Sequence, residues 1–184
     1  MQPLAVEMAG LLVECVISGG RVDVLSSVDA SFAGAATHVS ASSAAMEECE
    51  LADVCSTRAT LCVHASDCGA LYDTFDALGL QYGPSYRTLR LMWDGDAAVV
   101  SRLKTRSTLD GTGVHPADLD DALCSSALIG AQRVGEIRLP FAVDDARLHG
   151  APGELWAVAM REGAAAVSAR LIDCLLYTSP SPRD

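Results

Sequence analysis

Basic residues are scarce in this sequence: 13 Lys and Arg stand against 24 Asp and Glu, a formal charge of -11. Nucleic-acid phosphates are bound by a cationic surplus that releases counterions, so this balance argues against a nucleic-acid partner. The chain also lacks any C-x-x-C pair among its seven cysteines (15, 49, 55, 62, 68, 124 and 174), and no nearby histidine completes a zinc spacing. No metal site is therefore expected. A basic leader is missing as well. The opening MQPLAVEMAGLLVECVISGG has an apolar run but carries Glu7 and Glu14, which fits neither a signal peptide nor a membrane span. An odd cysteine count without a secretory signal fits a reducing, cytoplasmic setting in which thiols serve as small apolar side chains.

What is present suffices for a core. Half of the 184 residues are apolar and a fifth are charged, enough for one ordinary domain or two small lobes. The few cations bunch as Arg87, Arg90, Arg102, Lys104 and Arg106, expected to form a solvated sheet face.

Pro3 at a first helical position, apolar residues Leu4, Met8, Leu11, Leu12 and Cys15, and a stop at Gly19-Gly20 predict a helix over 3–18. The runs VDVLSSV, ATHVSAS and ATLCVHA between Arg21 and Ala65 predict strands. Ser66 or Asp67 can cap a second helix bearing Leu71, Phe75 and Leu78, ended by Gly79. RLMW-DGD-AAVVSRLKT predicts a hairpin in which Asp94-Gly95 supplies a positive-φ turn. Pro116 opens a third helix running to Gly130. Strands follow around IRLPFAV and ARLHG, then in ELWAVAM and AAAVSARLI, joined at Glu162-Gly163. One helix wrapped by a bent antiparallel sheet, an α+β arrangement, is the simplest architecture for this order.

Three carboxylates, Asp118, Asp120 and Asp121, crowd the start of the third helix. The helix dipole alone accounts for acidic residues there. Asp120 lies in the second turn with Cys124 one turn further on the same face. The dipole favours the carboxylate and burial favours the neutral acid. General-acid work near neutral pH requires burial to prevail, lifting the group well above its ordinary value of about 3.9.

Four segments in order carry a resemblance: GLQYGPSY (79–86), HPADLDDALC (115–124), LPFAV (139–143) and RLHG (147–150). They resemble the GYxYGPxF, HPxLLDxxxQ/H and LPFxW patterns of dehydratase domains from modular polyketide synthases. The resemblance implies a hotdog fold, here a partial double hotdog: 1–66 as a remnant of the N-terminal hotdog and 67–173 as the C-terminal one. It implies removal of water from a 3-hydroxyacyl chain on acyl carrier protein to give the 2-enoyl thioester. No cofactor is implied beyond the carrier's phosphopantetheine. Partners would be the carrier, other synthase domains and a second copy of the domain.

By the same resemblance Asp120 is the general acid. Tyr82, Gly83, Pro84, His115, Cys124, Leu139, Pro140 and Phe141 border the substrate; Asp118, where the family is usually apolar, is expected at the surface as a helix-start carboxylate. The base would be a histidine in an HxxxGxxxxP motif, which no histidine of this chain satisfies. The sequence is therefore expected to be a piece of a domain without its base. Cys124 stands where Gln or His is usual, and Val143 where Trp is usual. These departures leave two alternatives: a non-catalytic hotdog scaffold, or a related product-template or pyran-forming cyclase domain. The tail CLLYTSPSPRD (174–184) has no periodicity and resembles translated sequencing-adapter DNA.

Overall fold

The computed structural model describes residues 8–43, 53–107, 111–129, 153–164 and 166–173. It divides into two compact units, 1–49 and 50–184. In the larger unit His64 and Ala65 pair with Asp94 and Trp93, and Cys62 joins the core cluster of Ala98, Val100 and Val158.

The first unit is an antiparallel meander of β1 (Leu12–Ser18), β2 (Arg21–Ser27) and β3 (Ala36–Ser42). The expected helix over 3–18 is thus corrected where the structure describes it, since 12–18 is a strand. Ser18 pairs with Arg21, so Gly19 and Gly20 form a two-residue hairpin loop, with φ of +58° and +78°. Two successive positive φ values match the right-handed strand twist and favour glycine at both positions. The Gly-Gly pair is a hairpin turn, not a helix stop. A bulge between Val24 and Leu25 interrupts the β2–β3 register. Near it Ser26 Oγ and His38 Nε2 lie 2.7 Å apart.

In the second unit, α1 (Val54–Leu61) is capped by Asp53, whose side chain accepts from Ser56 N at 2.9 Å. The run ATLCVHA is accordingly not one strand. Its first three residues finish α1, and of the rest β4 (His64–Ala65) pairs as a strand. Helix α2 (Cys68–Ala77) starts at Asp67, which accepts from Gly69 N at 2.7 Å, and is followed by Gly79 at φ +87°, as the capping residues predict.

Strands β5 (Leu89–Asp94), β6 (Ala98–Leu103), β7 (Leu155–Arg161) and β8 (Val167–Asp173) join β4 in a five-stranded antiparallel sheet ordered as in sequence. The hairpins β5–β6 and β7–β8 form where expected. Gly95, however, does not have positive φ. A Cβ there would lie 1.8 Å from the Leu61 carbonyl oxygen, so glycine is needed because the end of α1 crosses that backbone.

Helix α3 (Pro116–Ser125), continued by a 3₁₀ turn at Ser126–Leu128, comes between β6 and β7. Alternation along the strands decides which helix meets which face. Ala98, Val100 and Val158 cluster with Val54 and Cys62 of the α1 region. Leu89, Met92 and Val99 cluster with Leu71, Tyr72 and Phe75 of α2 and Cys124 of α3. Leu103, Leu155 and Ala157 join Ala122. The sheet with α3 against it is the α+β arrangement expected from the element order, and the hotdog that the resemblance implies. The LPFAV and RLHG segments, Gly130 and the 174–184 tail lie outside the described residues. No helix among the described residues is long and apolar enough to cross a membrane.

Candidate functional site

Helix α3 is aimed by its first turn. Pro116 presets φ at the first helical position, and His115 caps it, with Nδ1 accepting from Ala117 N at 3.1 Å. The face toward the sheet carries Ala117, Asp118, Asp121, Ala122, Cys124 and Ser125, all buried. Asp120 sits at the margin of that face and is half-buried.

Three of the expected site residues come together. The Tyr82 hydroxyl and the Cys124 thiol are 3.1 Å apart, and the Tyr82 ring packs against Tyr72 and Phe75 with centroids 5.8 and 5.5 Å away. Burial raises the Asp120 carboxyl above its usual range, opposed in part by the Tyr82 hydroxyl beside it. Desolvation outweighs the hydrogen bond from Tyr82. Gly83 and Pro84 are exposed and form a turn in which Gly83 O accepts from Tyr86 N at 2.9 Å. Leu139, Pro140, Phe141 and Val143 are outside the described residues.

Cys124 is buried, and its thiol is pushed up to about 11 by desolvation, with Asp120 and Asp121 adding to the rise. From an ordinary value of 9.0 that is roughly a 100-fold smaller thiolate fraction near neutral pH. Labelling the native protein with iodoacetamide should therefore modify the exposed Cys15 and Cys55 and spare Cys62 and Cys124. Peptide mapping that finds Cys124 modified as fast as Cys55 would contradict this placement.

Asp118 corrects an expectation. It is not a surface residue but 1% exposed, and Arg106 Nε donates to its two oxygens at 2.9 and 2.8 Å. The basic cluster is likewise not wholly a solvated face. Arg106 is committed to Asp118, Arg102 pairs with Glu154, and Arg87 Nε donates to Tyr82 O at 2.8 Å.

Sequence reasoning missed Asp121. Fully buried, it accepts at Oδ2 from the Tyr72 hydroxyl (2.9 Å), Thr88 N (2.6 Å) and Thr88 Oγ1 (2.6 Å), while Oδ1 has no hydrogen-bond partner. Desolvation raises its carboxyl and these donors oppose the rise. Three adjacent acids gave no local signal of which one is buried. The signal lies in Tyr72 and Thr88, 49 and 33 residues away in sequence. Among the described residues no group of three or more His, Cys, Asp or Glu side chains could hold a metal ion.

Known proteins are similar to this chain in sequence and in fold. The family profile described as polyketide synthase dehydratase N-terminal domain matches residues 56–173. Polyketide synthase GfsE of Streptomyces halstedii is 40% identical over 79 residues, 39% of this chain and 2% of that protein. Polyketide synthase PksN of Bacillus subtilis is 31% identical over 94 residues, 48% of this chain and 2% of its own length. The chain thus spans a small fraction of the length of these curated relatives. The solved dehydratase domain from the CurK module of curacin polyketide synthase aligns with a TM-score of 0.66 at 19% identity, covering 89% of this chain and 62% of that one. At that identity the likeness speaks to the fold. The family match spans well over half of the sequence and includes the Tyr82 turn and the whole of α3, and on that ground the chain belongs to the polyketide synthase dehydratase family.

Proposed function

We propose that this chain is the acid-bearing part of a domain that dehydrates a 3-hydroxyacyl thioester on acyl carrier protein. The observation that carries the reading is Asp120: a half-buried carboxyl, raised by desolvation, beside the Tyr82 hydroxyl. In the reaction a base removes a proton from C2, the C2–C3 double bond forms, and the C3–O bond breaks. Asp120 gives its proton to the departing hydroxyl, which leaves as water. Tyr82 orients the Asp120 carboxyl, and the turn at Gly83 and Pro84 presents backbone groups to the substrate carbonyl. Leu139, Pro140 and Phe141 are carried as substrate-binding residues by the resemblance of LPFAV to the family pattern. Residues 67–173 serve as the C-terminal hotdog of the domain. The working partners are the carrier protein and neighbouring synthase domains in the cytoplasm, with a second copy of the domain as a further partner.

The base is the part this sequence does not supply, because none of His38, His64, His115 and His149 has both the Gly and the Pro of HxxxGxxxxP. Incubated with a carrier-bound 3-hydroxyacyl thioester, the 184-residue chain should yield no enoyl product by mass spectrometry. Joined to a first hotdog that carries HxxxGxxxxP, it should yield the 2-enoyl thioester. Turnover by the chain alone would show that the base lies elsewhere than the motif.

A further inference from the structure

Asp120 is flanked by two carboxylates far more deeply buried than itself. Asp118 is 1% exposed and Asp121 0%, and each grips a different point of the segment after Tyr82. Toward the start of α3, Arg106 Nε is shared between the two oxygens of Asp118, and an Arg106 terminal nitrogen donates to Ser85 O at 3.3 Å. One turn along, Asp121 Oδ2 receives Thr88 N and Thr88 Oγ1, and the Tyr72 hydroxyl it also receives accepts in turn from Leu89 N at 3.2 Å. Between the two grips Arg87 folds back onto Tyr82 O and lays its guanidinium 5.4 Å from the Tyr72 ring centroid.

We propose that Asp118 and Asp121 are positioning residues that clamp residues 82–88 onto α3 from both sides of Asp120, and so set the meeting of Tyr82 with Asp120 and Cys124. Filling these sites with apolar side chains of similar volume is often neutral or stabilising, because a buried carboxylate carries a desolvation cost. What an apolar filler cannot do is fix direction. All the donors to Asp121 converge on one oxygen although the other has no partner, so the carboxylate orients Thr88 and Tyr72 rather than maximising its own hydrogen bonds. With Ser85 and Thr88 both held, Tyr82 lies three residues from a fixed point and its own carbonyl is tied to Arg87. A side-chain geometry held on several sides in this way is what a proton-donating site requires.

The clamp gains its catalytic meaning from the reading of Asp120 as the acid, yet it can be tested without turnover, so a failed dehydration assay leaves it standing. The full chain is titrated by carboxyl-carbon NMR at Asp120, and Cys124 is timed against iodoacetamide. Thr88→Val and Arg106→Lys should each lower the Asp120 midpoint toward the ordinary carboxylate range as water enters, and speed Cys124 labelling by about tenfold or more. Thr88→Ser, which keeps the hydroxyl, should leave both at wild-type values. Val158→Ala, in the cluster on the α1 face, supplies a stability loss away from the clamp and should also move neither. Should Thr88→Val not fold, Tyr72→Phe removes a single donor from Asp121 and is read in the same way. An Asp120 midpoint unmoved in the folded clamp variants, or moved equally by Val158→Ala, overturns the proposal.

Discussion

Arg106→Leu should lower the unfolding free energy by about 3–5 kcal/mol, the cost of leaving a buried carboxylate without its cation. Asp118 is 1% exposed while the Arg106 side chain is 19% exposed, so the acid bears most of the desolvation and cannot recover it by turning to solvent. Replacing both partners tests the cause. Asp118→Leu with Arg106→Leu removes the charge as well as its partner, and should regain most of the loss. The exposed pair Arg102–Glu154, at 39% and 35%, is the internal comparison. Breaking it should cost no more than about 1 kcal/mol, because water screens and replaces the interaction. Urea midpoints at unchanged m-value read all of these variants. If Arg106→Leu costs no more than the surface pair, the burial assigned to Asp118 is wrong.

The second large effect belongs to Asp120. In a domain that has its base, Asp120→Asn should reduce dehydration by about 10²–10⁴, the usual contribution of a positioned proton donor, because an amide cannot protonate the departing hydroxyl. The same substitution should stabilise the fold at neutral pH. The folded carboxyl is raised above its unfolded value, so the native state holds more protons than the unfolded one between those two values, and stability falls as pH rises through that window. The window opens near the ordinary carboxylate value of about 3.9 and closes at the raised folded one. An Asn does not ionise and escapes the loss. Thermal or urea midpoints of the variant should therefore exceed wild type at neutral pH, with the gap closing on acidification. A variant less stable than wild type at neutral pH would mean that the Asp120 anion is favoured by its surroundings.

Where the chain carries its own punctuation, sequence and structure agree. Asp67 and Gly79 bracket α2, Pro116 opens α3, and Glu162-Gly163 lies between β7 and β8. The errors came from signals with two readings. Leu4, Met8, Leu11 and Cys15 fit a helical stripe, but Val13, Cys15 and Ile17 also alternate, and the two glycines with positive φ settle 12–18 as a strand. The run ATLCVHA reads as a strand, but its first three residues belong to α1, which forms because Asp53 caps it and Val54 and Cys62 reach the sheet. Gly95 was legible as a special position, though the reason, the passage of Leu61 over its backbone, is tertiary. The same holds at the acids of α3. Spacing put Asp120 and Cys124 on one side of the helix, and both meet Tyr82. The burial of Asp118 and Asp121 depends on Arg106, Thr88 and Tyr72, which no local pattern connects to them.

The most direct measurement is dehydration of a carrier-bound 3-hydroxyacyl thioester by this chain joined to a first hotdog carrying HxxxGxxxxP, with the Asp120 protein and its Asp120→Asn variant compared at equal concentration and confirmed folded. The 2-enoyl thioester should form with the carboxyl in place, and its rate of formation should drop at least about 100-fold with the amide. Equal rates from the two would contradict Asp120 as the acid, because the proton would then be coming from another group.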